Sequence, residues 1–298
     1  MRLVTFAPKK GAVLRVGLVR DGKEVIDVTQ LSGKPPFDAA NMVSLIAAGP
    51  AALKWLKGAA AKAKKALPIG TVRLAAPIPR PRKNVFCVGW NYVEHFEESR
   101  VSRLHTVEFP AHPTFFSKVP TTVNGPYDPV PSHAGVTAQL DWEVELGVVI
   151  GRRGIDIKEA DALKHVFGYT VVNDISAREI QRRHGGQLFK GKGLDGTCPM
   201  GPWIVTADKV PDPHALRLTS RVNGVTKQDS NTRYMYFKIP RLIAELSAGM
   251  TLEPGDILST GTPAGVGHAR TPPEFMRKGD VLESEIVGLG LLRNRIGK

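Results

Sequence analysis

The chain has 298 residues, 42% of them hydrophobic and 23% charged, which is typical of a globular protein with a core of its own. The net charge of +13 raises the question of nucleic-acid binding, but the basic residues are scattered outside 54–65, so we expect no nucleic-acid partner. No apolar run reaches the roughly 20 residues that a membrane span needs, and neither Cys87 nor Cys198 lies in a CxxC pair. A cytoplasmic protein without a disulfide framework or zinc motif is therefore expected.

The first part of the chain predicts a small α+β domain over residues 1–78. Strands are expected at 2–6 and 13–19, and helices at 42–48 and 51–66. Three closely spaced prolines, Pro77, Pro79 and Pro81, then mark a linker or an edge, because proline lacks a backbone donor and disfavours helix. Residues 79–298 are assigned to a second, catalytic domain.

After residue 83 the pattern changes to short apolar runs separated by Gly, Pro, Asn and Asp, which predicts a β-rich domain. Strands are expected at 84–88, 144–150, 167–172, 203–206, 216–222, 256–259 and 281–286. Helices are expected at 91–99, 176–183 and 239–247. The fold class is thus α+β and rich in strand.

Two carboxylates indicate a metal site. Glu143 and Glu145 are two residues apart in a predicted strand and therefore point to the same face. Like charges beside an apolar run repel each other unless a cation lies between them, and all-carboxylate ligation suits Mg²⁺, Mn²⁺ or Ca²⁺ rather than zinc. Asp141 shares that face as an additional candidate. The alternative is an exposed edge strand with solvated carboxylates.

Asp174 is a third candidate ligand. It follows an apolar strand and precedes a predicted helix, which is where a cleft ligand would lie. A helix-capping role explains the same position equally well, and both interpretations stay open from these residues alone.

His95 and Glu98 are three residues apart and so share one face of a predicted helix, for which Asn91 is a candidate cap. A carboxylate beside an imidazole fixes its tautomer and raises its basicity, so the pair could activate water or remove a proton next to a carbonyl. A surface pair without function is the commoner outcome of such spacing.

Three further features could contact a ligand. Lys118 precedes a proline turn, Lys192 lies in a glycine-rich segment, and Thr262 lies in the flexible loop 259–267, whose backbone N–H groups could hold a carboxylate. Solvated lysines and a plain surface turn are the alternatives. The loop is not a phosphate loop, because the GxxxxGK[ST] spacing is absent.

Five segments in series resemble the fumarylacetoacetate hydrolase family: GWNYVEHFEE, LDWEVELGVVIG, GYTVVNDISAREIQ, KGLDGTCPMGPWIV and LEPGDILSTGTPAGVG. The resemblance covers residue 84 to the C-terminus. It implies a mixed β-roll catalytic domain, a small N-terminal domain, a homodimer, and a role in aromatic catabolism. It also implies Mg²⁺ or Mn²⁺ on Glu143, Glu145 and Asp174, with Ca²⁺ as an alternative in crystals.

The same resemblance implies roles for the remaining candidates. His95 and Glu98 would act as a catalytic dyad, and Lys192 would stabilise an enolate or oxyanion. Contacts to substrate are assigned to Gln181, Thr262, Arg178 and Lys118. Two residues depart from related sequences, Trp90 and Glu179, and the segment 99–112 is longer than in many relatives. That segment, with Arg103 and His105, is interpreted as a lid.

The expected activity is metal-dependent hydrolysis of a C–C bond in a 2,4-dioxo acid, releasing pyruvate. The dyad would activate water, and Lys192 would stabilise the developing negative charge. The alternative enzyme is an isomerase, hydratase or decarboxylase of a 2-oxo dioic acid such as oxaloacetate or a hydroxymuconate, because the fold does not fix the reaction. A non-catalytic nucleic-acid-binding protein is the alternative of a different class.

Overall fold

The computed structural model describes residues 1–99 and 108–297. The first half of the strands comprises β1 (Arg2–Ala7), β2 (Arg15–Arg20), β3 (Glu24–Asp27), β4 (Leu67–Pro68), β5 (Arg73–Ala75), β6 (Val85–Gly89), β7 (Thr114–Lys118), β8 (Val123–Asn124), β9 (Val130–Pro131) and β10 (Leu140–Asp141). The second half comprises β11 (Val144–Ile150), β12 (Val166–Asn173), β13 (Ser176–Ala177), β14 (Cys198–Thr206), β15 (Arg217–Val222), β16 (Val225–Asn231), β17 (Ile257–Ser259), β18 (Val281–Ile286) and β19 (Gly290–Gly297).

The α-helices are short and are greatly outnumbered by the strands. They are α1 (Met42–Ala47), α2 (Gly49–Ala60), α3 (Val93–Glu98), α4 (Arg178–Arg183), α5 (Leu188–Lys192) and α6 (Ile239–Ser247). The expected fold class, α+β and rich in strand, is confirmed. Within the described residues, no helix is both long and apolar enough to cross a membrane.

One large mixed sheet organises the chain, with its strands in the order β4-β3-β2-β1-β14-β12-β11-β17-β6-β7. Strand β1 pairs antiparallel with β14, with Leu3 opposite Ile204, so the N-terminal strands continue the sheet of the later residues. The division of the chain at residue 78 stays a prediction. A second sheet, in the order β16-β15-β18-β19-β9, lies beside the first.

Strand β11 shows how the core positions the site. Val144, Leu146 and Val148 alternate along it and pack into a buried cluster with residues of the second sheet, such as Leu218 and Ile286. Because side chains alternate between the faces of a strand, Glu145 points the opposite way. The same alternation that builds the core therefore presents the carboxylate to the other face of the sheet.

Several predicted elements differ from the structure only at their ends, but strands such as β7, β16 and β19 were not predicted. The strands 144–150 and 281–286 and the helix 239–247 have the predicted bounds. Helix α3 begins at Val93, and Asn91 does not cap it; its side chain instead donates to the carbonyl oxygens of Phe237 and Thr260. Residues 188–192, for which no helix was predicted, form α5.

Candidate active site

Three buried carboxylates converge where β11 begins and β12 ends. One oxygen from each of Glu143, Glu145 and Asp174 lies within 4.8 Å of the others. The register of the two strands, with Val144 opposite Asn173, brings Asp174 beside Glu143, and the Asp174 N–H donates to the Glu143 carbonyl over 2.9 Å. The structure therefore brings together the three residues predicted to bind metal.

Asp174 is not a helix cap. The residue before α4 is Ala177, which makes no side-chain capping bond. The Asp174 side chain instead faces two lysines, Lys118 and Lys192, at 2.9 Å and 2.8 Å. The geometry thus favours the ligand interpretation of Asp174 over the capping one.

Two buried cations balance the charge of Glu143. Lys192 Nζ donates to Glu143 Oε2 over 2.6 Å and to Asp174 Oδ2 over 2.8 Å. Arg178 donates to Glu143 Oε1 over 2.6 Å and to Asp141 Oδ2 over 2.7 Å. Burial opposes ionisation of Glu143, but Lys192 and Arg178 outweigh it and lower its pKa to about 2.

The pKa of Glu145 is shifted in the opposite direction. Burial, with the neighbouring charges of Asp174 and Glu143, raises the pKa of Glu145 to about 8. Its Oε2 accepts hydrogen bonds from Ser259 Oγ at 2.6 Å and from the Gly261 N–H at 2.9 Å. These contacts orient the carboxylate but bring no formal positive charge to it.

The donor set fits a hard divalent cation. All three groups offer oxygen, the ligand that Mg²⁺ and Mn²⁺ prefer. Asp174 Oδ1 is buried and accepts no hydrogen bond from the described residues, although Lys118 Nζ lies 2.9 Å away. A cation between Glu143, Glu145 and Asp174 would use that oxygen and offset the repulsion that raises the pKa of Glu145.

Asp141 does not belong to this group. It is fully buried, and its two oxygens accept bonds from Arg178 Nε, the N–H of Gly267 and the N–H of His268, among other donors. The suggestion that Asp141 is an additional metal ligand is therefore wrong, because its oxygens are already used to hold Arg178 and the 267–268 backbone.

His95 and Glu98 form the predicted pair on α3. His95 Nδ1 lies 2.8 Å from Glu98 Oε1, and the other carboxylate oxygen accepts the Gly265 N–H over 2.7 Å. His95 is 5% exposed and borders the same cavity as Glu143 and Glu145, so the pair is not a surface feature. An imidazole held in this way can exchange a proton through Nε2.

The glycine-rich loop 259–267 binds carboxylates of the protein itself. Its N–H groups donate to three side chains: Gly261 to Glu145, Gly265 to Glu98, and Gly267 to Asp141. The expectation that these groups hold a substrate carboxylate does not agree with the structure. The loop instead ties a metal-site residue to the dyad.

The predicted substrate contacts divide into two groups. Arg178, Gln181 and Thr262 line the cavity. The Thr262 hydroxyl donates to the Val144 carbonyl and accepts from Gln228 Nε2, which stitches the loop to β11. No sequence signal indicated Gln228, because it lies far along the chain from these partners.

The predicted substrate contact of Lys118 gains no support from the structure. Lys118 is fully buried and does not line the cavity. Its ammonium donates to the carbonyl oxygens of Ile175 and Lys192 and to Thr197 Oγ1, and it pairs with Asp174. Lys118 therefore contacts the metal site on the side that faces away from the cavity.

Lys192 reaches the cavity because α5 packs closely on α4. A Cβ atom on Gly191 would lie 2.4 Å from Gln181 Cγ and 2.9 Å from the Ala177 carbonyl oxygen, so this close approach needs glycine. The Lys192 ammonium also lies 5.1 Å from the centre of the Phe116 ring. The helix thus holds the lysine between the carboxylates and the ring of Phe116.

The cavity has a volume of about 150 Å³. Its lining combines the charged groups with an apolar side: Val88, Gly89, Trp90, His95, Ser99, Thr114, Phe116, Glu143, Glu145, Arg178, Gln181, Leu188, Lys192, Thr262 and His268. Trp90 has a φ of 52°, an unusual conformation for a bulky residue and one often found at functional sites.

Much of the predicted lid 99–112, including Arg103 and His105, lies outside the described residues. At its described end, Phe109 packs on Phe96 and Tyr236 with ring centres 4.9 Å and 4.4 Å apart. Glu179, the other departure from related sequences, accepts bonds from Thr137 Oγ1 and the Ala138 N–H, each over 2.7 Å. It anchors the segment before β10 and does not line the cavity.

The fold and the acidic site define a class of metal-binding enzyme. Residues 84–297 match the family model for the fumarylacetoacetate (FAA) hydrolase C-terminal domain, so the chain belongs to the fumarylacetoacetate hydrolase family. The family expected from the five segments is thereby confirmed, as is an enzyme of this family.

Two oxaloacetate tautomerases extend the similarity to nearly the whole chain. Oxaloacetate tautomerase YisK of Bacillus subtilis is 44% identical over 95% of this chain and 96% of its own length. The mitochondrial oxaloacetate tautomerase FAHD2A of Bos taurus is 44% identical over 99% of this chain and 91% of its own length. The structure of maleylpyruvate hydrolase from Sphingobium sp. SYK-6, in complex with manganese(II) and pyruvate, is 32% identical, with a TM-score of 0.78, over 100% of this chain and 99% of that one.

Proposed function

We propose that this protein is a divalent-metal-dependent tautomerase that interconverts the enol and keto forms of oxaloacetate. The observation that carries the proposal is that His95, which pairs with Glu98, borders the same cavity as Glu143 and Glu145 of the acidic cluster. A proton-transfer group thus lies beside a cation site. Whole-length similarity to oxaloacetate tautomerases supports the substrate. The alternative interpretation of the sequence, an isomerase of a 2-oxo dioic acid, thus has better support than the hydrolase.

Glu143, Glu145 and Asp174 would hold the cation, for which Mg²⁺ and Mn²⁺ are both proposed. When bound, it supplies Lewis-acid polarisation of the 2-oxo group. Although burial opposes protonation of Lys192, Asp174 and Glu143 raise its pKa, so the ammonium stays charged. A fixed positive charge in a buried cavity stabilises the negative oxygen of an enolate-like transition state.

The His95–Glu98 pair would move the proton at C3. With Nδ1 directed at Glu98, the Nε2 atom of His95 is the one available to substrate. Conversion between enol and keto forms needs a proton at carbon and one at oxygen but no attacking water. The pair can therefore carry out the proton transfer at C3.

Gln181 is the best candidate for orienting a substrate carboxylate. Its Oε1 accepts a bond from Arg178 over 3.3 Å, so the amide nitrogen is directed away from the guanidinium and is available as a donor. Arg178 itself is committed to Asp141 and Glu143. We therefore assign Arg178 to holding Glu143. We assign substrate contact to Gln181, since the Thr262 hydroxyl already donates to the Val144 carbonyl and accepts from Gln228.

The test is an assay of enol oxaloacetate by its ultraviolet absorbance, with Mg²⁺ or Mn²⁺ and after chelation. A metal-dependent loss of the enol absorbance, without release of CO₂ or pyruvate, is the expected result. Pyruvate with CO₂ would indicate a decarboxylase instead. If neither metal raises the rate above that of the uncatalysed reaction, the tautomerase proposal is rejected.

A C–C hydrolase that releases pyruvate is the second candidate. The maleylpyruvate hydrolase structure with manganese(II) and pyruvate favours it, because it shares this fold at 32% identity. The same dyad could then activate water. Incubation with an acylpyruvate discriminates the two functions: pyruvate release faster than enol conversion would support the hydrolase.

The remaining expectations are also proposals. A homodimer is implied by the family resemblance, and light scattering of the purified protein tests it. A cytoplasmic location, a role in aromatic catabolism and the lack of a nucleic-acid partner likewise stay predictions. Retention on DNA at physiological salt would contradict the last of these.

A further inference from the structure

A second imidazole, His268, borders the same cavity. It lies in the 3₁₀ helix Gly267–Ala269, directly after the glycine-rich loop, and its side chain is 13% exposed. The tautomerase proposed above gives it no role. Its surroundings nevertheless resemble those of His95, because each ring contacts a carboxylate through Nδ1.

Asp141 fixes the tautomer of His268. The Nδ1 atom lies 3.1 Å from Asp141 Oδ2. The same carboxylate accepts hydrogen bonds from Arg178 Nε over 2.7 Å, from the Gly267 N–H over 2.6 Å and from the His268 N–H over 3.0 Å. A carboxylate that is paired with a guanidinium and surrounded by donors acts as an acceptor, so Nδ1 carries the proton.

The remaining nitrogen of His268 is a proton acceptor. Burial and the nearby charge of Arg178 lower the pKa of His268 despite the contact with Asp141, which favours the neutral ring near pH 7. In the neutral ring with a protonated Nδ1, the Nε2 atom has a free lone pair. No described residue donates to this atom.

The reaction needs a group of this kind at the substrate oxygen. Of the titratable side chains that line the cavity, Glu143 and Glu145 belong to the cation site. Lys192 and Arg178 donate to the carboxylates of the cation site, so their nitrogen atoms are already committed there. Only the two imidazoles among the described lining residues remain for the two protons that tautomerisation moves.

We propose that His268 is the second proton-transfer residue of the site and acts at the C2 oxygen, while His95 acts at C3. In the enol-to-keto direction, Nε2 of His268 takes the hydroxyl proton, and the O–H electron pair forms the C=O bond. The C=C electron pair takes a proton from the imidazolium of His95. His268 then releases its proton to solvent, and His95 regains one, so the cycle balances.

This inference rests on the proposed tautomerase activity, and the substitution H268N tests it. The amide nitrogen of asparagine can keep the hydrogen bond to Asp141, whereas the Nε2 lone pair is lost. We expect kcat for enol oxaloacetate to fall by about 10²–10⁴-fold, the usual contribution of general acid–base catalysis. We expect KM, the melting temperature and the affinity for Mn²⁺, measured by calorimetry, to stay near wild type.

The matched control is H165N. The Nδ1 atom of His165 lies 2.9 Å from the carbonyl oxygen of Arg152, and the side chain does not line the cavity. This variant should keep full activity. H268Q serves as a second variant, because glutamine places a non-titratable amide near the position of Nε2.

The outcomes separate the two proposals. A wild-type enzyme without tautomerase activity would overturn both. An active wild type with H268N and H268Q within about 2-fold of its kcat would overturn the role of His268 and leave the tautomerase standing. Loss of Mn²⁺ affinity in parallel with kcat in both variants would also overturn it, because His268 would then only support the cation site.

Discussion

Gly265 donates its backbone N–H to Glu98 Oε2 over 2.7 Å, while the other oxygen of that carboxylate contacts the imidazole of His95. Gly265 has a φ of 103°, and a Cβ atom there would lie 2.2 Å from the carbonyl oxygen of Lys227. Only glycine fits both the conformation and the space. The orientation of the dyad thus depends on a backbone position with no side chain of its own.

The substitution Gly265→Ala should therefore reduce turnover without removing the cation site. The loop must shift, Glu98 loses a donor, and His95 loses its fixed orientation. A displacement of about 1 Å can cost about 100-fold in rate, so we expect kcat to fall by roughly 10- to 100-fold. Steady-state kinetics and calorimetric titration with Mn²⁺ measure the two effects separately.

Gly288→Ala is the matched control for Gly265→Ala. Gly288 also has a positive φ, 85°, but no atom lies within 4 Å of the position of its Cβ. This variant carries similar backbone strain far from the dyad and should retain kcat. Equal kcat values for both variants would show that the Gly265 contact does not matter.

Lys118→Met should destabilise the folded protein. The substitution leaves Asp174 without its Lys118 partner, and removing one member of a buried ion pair costs about 3–5 kcal/mol. Urea unfolding of the metal-free protein measures this loss. The exposed pair of Lys164 with Asp161 offers the control Lys164→Met, for which we expect a change within about 0.5 kcal/mol. If Lys118 contacted substrate instead, KM would rise while stability stayed unchanged.

Local sequence pattern was sufficient for some of these residues and insufficient for others. The alternation in 144–150 is visible in the sequence and places Glu143 and Glu145 on one face. Asp174 could not be separated from a helix cap, because its role depends on the register between β11 and β12. Pattern within one segment carries no information about the strand that pairs with it.

The errors have similar physical origins. Helix α5 is five residues long and contains Gly191, so its local preference is for a loop, and packing against α4 decides the outcome. The burial of Lys118 depends on acceptors 57 to 79 residues away. Asp141 and His268 are separated by 127 residues. Such long-range contacts are fixed by tertiary structure rather than by spacing.

Glu143→Gln should weaken metal binding. The substitution removes one anionic ligand and leaves Lys192 and Arg178 with one carboxylate fewer to balance. Mutation of a residue that only supports a metal ligand typically lowers metal affinity by 10- to 100-fold. For the ligand Glu143 itself, we therefore expect Mn²⁺ affinity to fall by at least about 100-fold. Calorimetry with Mn²⁺ tests this, and unchanged affinity together with unchanged turnover would remove Glu143 from the site.

Glu285→Gln is the control for Glu143→Gln. Glu285 also forms an ion pair, with Arg221 at 2.7 Å, but it lies on β18 and does not line the cavity. Its loss should leave Mn²⁺ affinity unchanged. A comparable loss in both variants would indicate a general effect of net charge.

Metal binding should release a proton near neutral pH. In the metal-free protein, burial and the charges of Asp174 and Glu143 raise the pKa of Glu145 to about 8, so this carboxyl is mostly protonated at pH 7. A ligand must be deprotonated to bind, and affinity therefore falls by about tenfold for each pH unit below that pKa and levels off above it. Titrations with Mn²⁺ at pH 7 in buffers of different ionisation enthalpy should report close to one proton released. Heats that do not depend on the buffer would show that Glu145 is already ionised or does not bind the metal.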